Sequence, residues 1–219
     1  MIEVKICGIN SPQAADAAAS AGADYAGLVF FPRSPRHVGY EQAVSLAARL
    51  RNRCRIVAVL VDPSDAEIEA AIAAARPDLL QLHGRETPVR AAAVRERFRI
   101  PVMKAIAVAD AADLAPVPAF ERVADMLLFD AKAPVSASRP GGHGAAFDWR
   151  LLQGRTFSRP WLLSGGLDVE NVARAIRAGD APGVDCSSGV ETAPGVKSPQ
   201  LIPEFVAVAR AAQFAVAET

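Results

Sequence analysis

No run of apolar residues approaches the ~20 needed to cross a bilayer. The N-terminus, MIEVKICGI, lacks the long apolar core and cleavage pattern of a secretory signal. The expected chain is cytoplasmic and has no membrane partner. Cysteine is scarce: Cys7, Cys54 and Cys186 are an odd number without ligand-like spacing, which argues against a disulfide framework and for free thiols. Charge of either sign is not in excess. Lysine plus arginine balance aspartate plus glutamate at 24 each, and the pI near 6.8 argues against a basic nucleic-acid binder. Neither a Rossmann fingerprint nor a P-loop is present, so no dinucleotide or nucleoside triphosphate is implied and no cofactor is expected. Internal repeats and low-complexity tails are also lacking.

What the chain does have is an alternation of short apolar runs with alanine-rich amphipathic segments. At 219 residues it suits one domain, or a compact (β/α) barrel, and can bury a large core without a staple. The runs predict strands over 2–7, 26–31, 56–60, 79–83, 102–106, 126–130, 161–164 and 184–187. The intervening patterns predict helices over 11–21, 40–51, 65–75, 87–98, part of 109–120, 148–152, 169–178 and 199–214. Near-continuous strand hydrophobicity fits a parallel sheet covered by helices. Eight strands and eight helical segments make a single-domain (β/α)8 TIM barrel, class α/β, the expected fold over the whole chain, with a doubly wound open sheet as the alternative. Ser11-Pro12, Asp62-Pro63-Ser64 and Ser198-Pro199 mark helix starts. Pro116 and Pro118 interrupt the fifth helix.

Candidate site residues gather at strand ends, on the face where barrel loops carry chemistry. Cys7 closes the first run and is either a buried inert thiol or a base. Lys5 lies two residues earlier on the same side of the strand, as a packed charge or as a group pointing into the barrel below Cys7. Cys54, before the third strand, and Cys186, within the eighth, are weaker candidates. Asp130 ends the sixth run, where it either caps a turn or, enclosed beside a ligand, serves as a general acid. Lys132 would oppose that role if it turned inward. Arg33 and Arg36 follow the second strand, and either can fork onto a carboxylate or remain solvated. His83, ending the fourth, is open between hydrogen-bonder, second base and structural histidine. Asp185 beside an anion loop would repel the ligand unless it holds a backbone group or a lysine, so an orienting role is expected.

Two glycine clusters, SGGL at 164–167 and SSGV at 187–190, follow the seventh and eighth runs. Adjacent loops of this composition can cradle a phosphate as well as make turns. The longest aperiodic stretch, 132–146, contains GGHG at 141–144, whose glycines suit a hinged lid, a close approach to a ligand, or a plain surface loop.

Taken in order, KICG at 5–8, SPR at 34–36, QLHG at 81–84, LLFD at 127–130, GGHG at 141–144 with FDW at 147–149, SGGL at 164–167 and DCSSGVE at 185–191 closely resemble the phosphoribosylanthranilate isomerase family of tryptophan biosynthesis. The resemblance covers nearly the whole chain. His143, where the family more often has a small polar residue, and Cys186, in place of a common valine, depart from the pattern. The resemblance implies an Amadori rearrangement of a small phosphorylated anthranilate-ribose substrate, with Asp130 as general acid, Cys7 as thiolate base, and no metal or cofactor. It further implies that Arg36 engages the anthranilate carboxylate, and that Gly165, Gly166, Ser187, Ser188 and Gly189 surround the phosphate. Gly142 and Gly144 would border the substrate, with Lys5, His83 and Asp185 completing the site. A histidine-pathway sugar isomerase shares this chemistry but resembles a pair of aspartates where this chain has Cys7. A pentose-phosphate epimerase would need a metal-ligand set that three histidines do not supply. A non-catalytic phosphate-ligand barrel is a further alternative. Family members are monomers or dimers, so a monomer or weak homodimer is expected.

Overall fold

The computed structural model describes residues 1–132 and 146–212. Eight parallel strands close into a barrel in sequence order: β1 (Glu3–Cys7), β2 (Tyr25–Val29), β3 (Arg55–Leu60), β4 (Leu79–Leu82), β5 (Val102–Val108), β6 (Met126–Ala131), β7 (Trp161–Leu163) and β8 (Gly183–Cys186). Closure is made by β1 against β8, with Lys5 opposite Asp185 in register. The expected (β/α)8 architecture is the observed one.

Alternation along each strand divides the apolar residues between two cores. Val57, Val59, Leu79, Met103, Leu128 and Leu162 fill the barrel interior. The outward set, such as Ile6, Leu28, Leu80 and Leu127, packs under the helices. This double burial is why the strands read as unbroken apolar runs.

The helices are α1 (Pro12–Ser20), α2 (Tyr40–Leu50), α3 (Asp65–Ala75), α4 (Pro88–Phe98), α5 (Val117–Glu121), α6 (Val172–Gly179) and α7 (Leu201–Ala211). Their starts follow side-chain chemistry. Ser11 accepts from the Ala14 amide, Ser64 and Glu67 form a reciprocal capping box, and Thr87 caps α4. Ser198 Oγ accepts from the Gln200 and Leu201 amides at the start of α7.

Two crossovers depart from the expected helices. The fifth is a 3-10 turn over Ala111–Leu114 followed by the five-residue α5, because prolines 116 and 118 remove the amides a longer helix needs. In the sixth, the helix expected over 148–152 is a 3-10 turn over Trp149–Leu151. An unanticipated antiparallel hairpin, β9 (Glu191–Ala193) with β10 (Val196–Lys197), follows β8. Among the described residues no helix is long and apolar enough to cross a membrane.

Candidate active site

Among the described residues, buried polar side chains such as Lys5, Gln81 and Asp185 interrupt the apolar barrel interior below the carboxyl-end mouth. Lys5 is fully buried and donates to Asp185 Oδ1 at 2.8 Å, with Ser164 Oγ donating to the other carboxylate oxygen at 3.3 Å. Asp185 thus holds a lysine, the condition under which a carboxylate beside an anion loop is tolerable. Burial alone would lower the Lys5 pKa, but Asp185 and Cys7 outweigh it and keep the ammonium above its usual range. Removing one partner of a sealed ion pair leaves a buried charge uncompensated. Asp185→Leu is therefore expected to cost ~3–5 kcal/mol, read as a lower denaturation midpoint. The Lys5→Met/Asp185→Leu double variant should recover most of it, and a double variant no better than the single would contradict this account.

Cys7 sits directly above Lys5. Gly27 on β2 leaves room for both, since a Cβ there would stand 3.1 Å from Cys7 Sγ and 3.4 Å from Lys5 Nζ. Burial pushes the thiol pKa up; Lys5 pulls it down, Asp185 adds to the rise, and burial wins. The other two thiols are also pushed up by burial, Cys54 to about 11. Cys186 faces outward and donates to the Leu167 carbonyl at 3.2 Å.

Across the mouth, Asp130 is 7% exposed. Its Oδ1 accepts from the Ala131 amide at 2.9 Å and its Oδ2 lies 3.1 Å from His83 Nε2. The other ring nitrogen, Nδ1, is 2.7 Å from Gln81 Nε2. His83 is therefore bound to Asp130 rather than standing as an independent group. Lys132 does not turn inward; it is exposed and pairs with Asp113 at 2.6 Å.

Of the two loop arginines, Arg33 is exposed and Arg36 buried. Glu191 at the start of the hairpin takes Arg36 Nε and Nη2 at 2.6 and 2.8 Å. Lys197 donates to the same carboxylate at 2.8 Å. Burial raises the Glu191 pKa, but the two cations outweigh it and the net effect is a lowering. Sequence reasoning missed Glu191, Lys197 and Gln81 as site-shaping groups. A signal existed for Gln81, the only polar residue in the buried run LLQL of β4. Lys197 lies on an element too short to anticipate.

The glycine turns meet as their positions suggested. Gly165 has φ +93°, the left-handed region, and a Cβ there would approach the Ala131 amide nitrogen to 2.6 Å. A Cβ on Gly189 would overlap the Leu167 carbonyl oxygen, so the turns after β7 and β8 touch through backbone alone. Gly189→Ala should force them apart and raise KM for a phosphorylated substrate more than it lowers kcat. Unchanged KM would remove these turns from ligand binding. Ser187 Oγ donates to the Cys7 carbonyl at 3.1 Å and also accepts from Lys197, so that hydroxyl is engaged within the protein. Gly142, His143 and Gly144 lie outside the described residues.

Cys7, Arg36, His83, Asp130, Gly166 and Ser188 all line one open-mouthed cavity. An eight-stranded parallel barrel with titratable groups converging on its carboxyl-end mouth has the architecture of a (β/α)8-barrel enzyme. Residues 4–208 match the family model described as N-(5'phosphoribosyl)anthranilate (PRA) isomerase. The chain belongs to that family. It is 52% identical over 212 residues to the N-(5'-phosphoribosyl)anthranilate isomerase of Rhodopseudomonas palustris strain BisA53, covering 97% of each chain. A solved phosphoribosyl anthranilate isomerase in complex with reduced 1-(o-carboxyphenylamino)-1-deoxyribulose 5-phosphate superposes with TM-score 0.83 at 32% identity, covering 96% of this chain and 100% of that one. Monomers of the dimeric Thermotoga maritima enzyme superpose with TM-score 0.83 at 33% identity and the same coverage.

Proposed function

We propose that the chain converts N-(5-phosphoribosyl)anthranilate to 1-(2-carboxyphenylamino)-1-deoxyribulose 5-phosphate in tryptophan biosynthesis. The observation that carries this reading is the single cavity lined by Cys7, Asp130 and Arg36 together with the two glycine-serine turns.

The reaction needs an acid and a base at different points of one small sugar, and no electrons leave or enter the substrate. Asp130 gives a proton to the furanose ring oxygen as the bond from that oxygen to C1 breaks. The anilino nitrogen lone pair forms the C1–N double bond, leaving a protonated Schiff base. Cys7 thiolate then takes the C2 proton, and the released electron pair makes the enolamine and neutralises nitrogen. Gain of a proton at C1 and loss of one from the C2 hydroxyl give the ketone, an isomer of the starting material. Arg36 meets the anthranilate carboxylate with its Nη1 edge, since Glu191 occupies Nε and one Nη2 hydrogen. The turns at Gly165, Gly166, Ser188 and Gly189 hold the phosphate. Every residue in this scheme comes from one chain, so a monomer suffices for it.

Loss of fluorescence of freshly generated phosphoribosylanthranilate on addition of the purified chain tests the reading. Rapid turnover is expected. Binding of the product analogue without turnover would instead favour a non-catalytic ligand barrel. Turnover of the histidine-pathway aminoimidazole ribotide alone would favour the related isomerase.

A further inference from the structure

Gln81 is a fully buried amide whose register neighbours on β3 and β5 are the apolar Val59 and Met103. Among the described residues its Oε1 has no hydrogen-bond partner, so this side chain costs stability that a residue like its neighbours would not. What it touches is His83, with its Nε2 at 2.7 Å from Nδ1. An amide nitrogen only donates, so His83 Nδ1 accepts. The ring proton of neutral His83 then sits on Nε2, 3.1 Å from Asp130 Oδ2. With the amide reversed, Nδ1 would carry the proton and Nε2 would present only a lone pair to Asp130 Oδ2, leaving no N–H to meet the charge that forms there when Asp130 gives up its proton.

We infer that Gln81 is a positioning residue for the reaction: it fixes His83 as a neutral imidazole with its proton on Nε2, a standing donor to Asp130. The inference rests on the acid role of Asp130 proposed above. When Asp130 gives its proton to the substrate, negative charge appears on its carboxylate, and the His83 N–H is already aimed at that oxygen. Asp130 cannot select this tautomer alone, because an imidazole freed at Nδ1 can also turn or change tautomer. Gln81 removes those alternatives from inside the barrel, where solvent cannot compete for Nδ1.

The test pairs imidazole ¹⁵N spectra with kinetics. The chain has only three histidines, so His83 is readily assigned by comparison with a His83 variant. The wild-type free protein should show the proton on Nε2. Gln81→Met, and Gln81→Leu as a second apolar variant, should fold at least as stably as wild type and lose that fixed tautomer signature. Because the donor acts on charge that forms during the reaction, kcat should fall about tenfold with KM little changed. In an Asp130→Asn background the same substitutions should cost nothing more. A wild-type proton on Nδ1, an unchanged kcat in both variants, or an equal loss in the Asp130→Asn background would each overturn the inference. If wild type fails to turn over phosphoribosylanthranilate, the functional reading falls, while the spectra still report the His83 proton independently.

Discussion

Cys7→Ser is expected to lower kcat on phosphoribosylanthranilate by ~10²–10⁴-fold, the range one positioned acid or base contributes. A serine hydroxyl is far less acidic than a thiol, so it cannot supply the anionic base although it fits the same space. The fold should persist. The site is small and already roomed by Gly27, and a hydroxyl can keep the contact with Lys5 Nζ, so the denaturation midpoint should move little. Full activity in the folded variant would sink the base assignment.

The buried setting of Cys7 adds a pH signature. Its pKa lies above the ordinary thiol value because burial outweighs the pull of Lys5. A base that must be deprotonated, with a raised pKa, places the Cys7-dependent limb of kcat/KM above the usual thiol range near ~8.5. The same burial makes the thiolate, once formed, a stronger base for the C2 proton. The protonated Schiff base introduces a cation into the cavity, favouring ionisation of the thiol in the complex. The limb in kcat should therefore lie at lower pH than the limb in kcat/KM. Coincident limbs would show that the substrate cation does not act on Cys7.

The strands were legible because a parallel barrel buries both faces of each one, leaving apolar runs such as the LVF of 28–30 and MLLF of 126–129 bounded by polar turns. Residues at the ends of those runs, Cys7 and Asp130 among them, could be placed at the mouth from position alone. The fifth and sixth crossovers were less legible, since a 3-10 turn has no period long enough to register. The hairpin was hidden for the same reason, with β10 only two residues long. Pairings across the chain were not legible at all. Nothing near Arg36 announces that Glu191, 155 residues later, will take its fork. That contact changes which edge of the guanidinium a substrate can meet.

Asp130→Asn is expected to match Cys7→Ser in severity, ~10²–10⁴-fold in kcat, because an amide cannot protonate the ring oxygen and ring opening precedes every later step. Its structural consequence is more specific than loss of a charge. Asparagine is nearly isosteric, and its Oδ1 can still accept from the Ala131 amide, so the fold and the β6 terminus should be preserved. Its Nδ2 then faces His83 Nε2, where two donors would meet. The conflict is relieved if the imidazole proton moves to Nδ1 and the Gln81 amide turns to present the Oε1 that lacks a partner among the described residues. Asp130→Asn should therefore be folded, inactive, and carry the His83 proton on the opposite nitrogen from wild type. A folded variant with wild-type turnover would refute the acid role. An inactive variant with the His83 proton still on Nε2 would keep the acid role and break the coupling from Asp130 through His83 to Gln81.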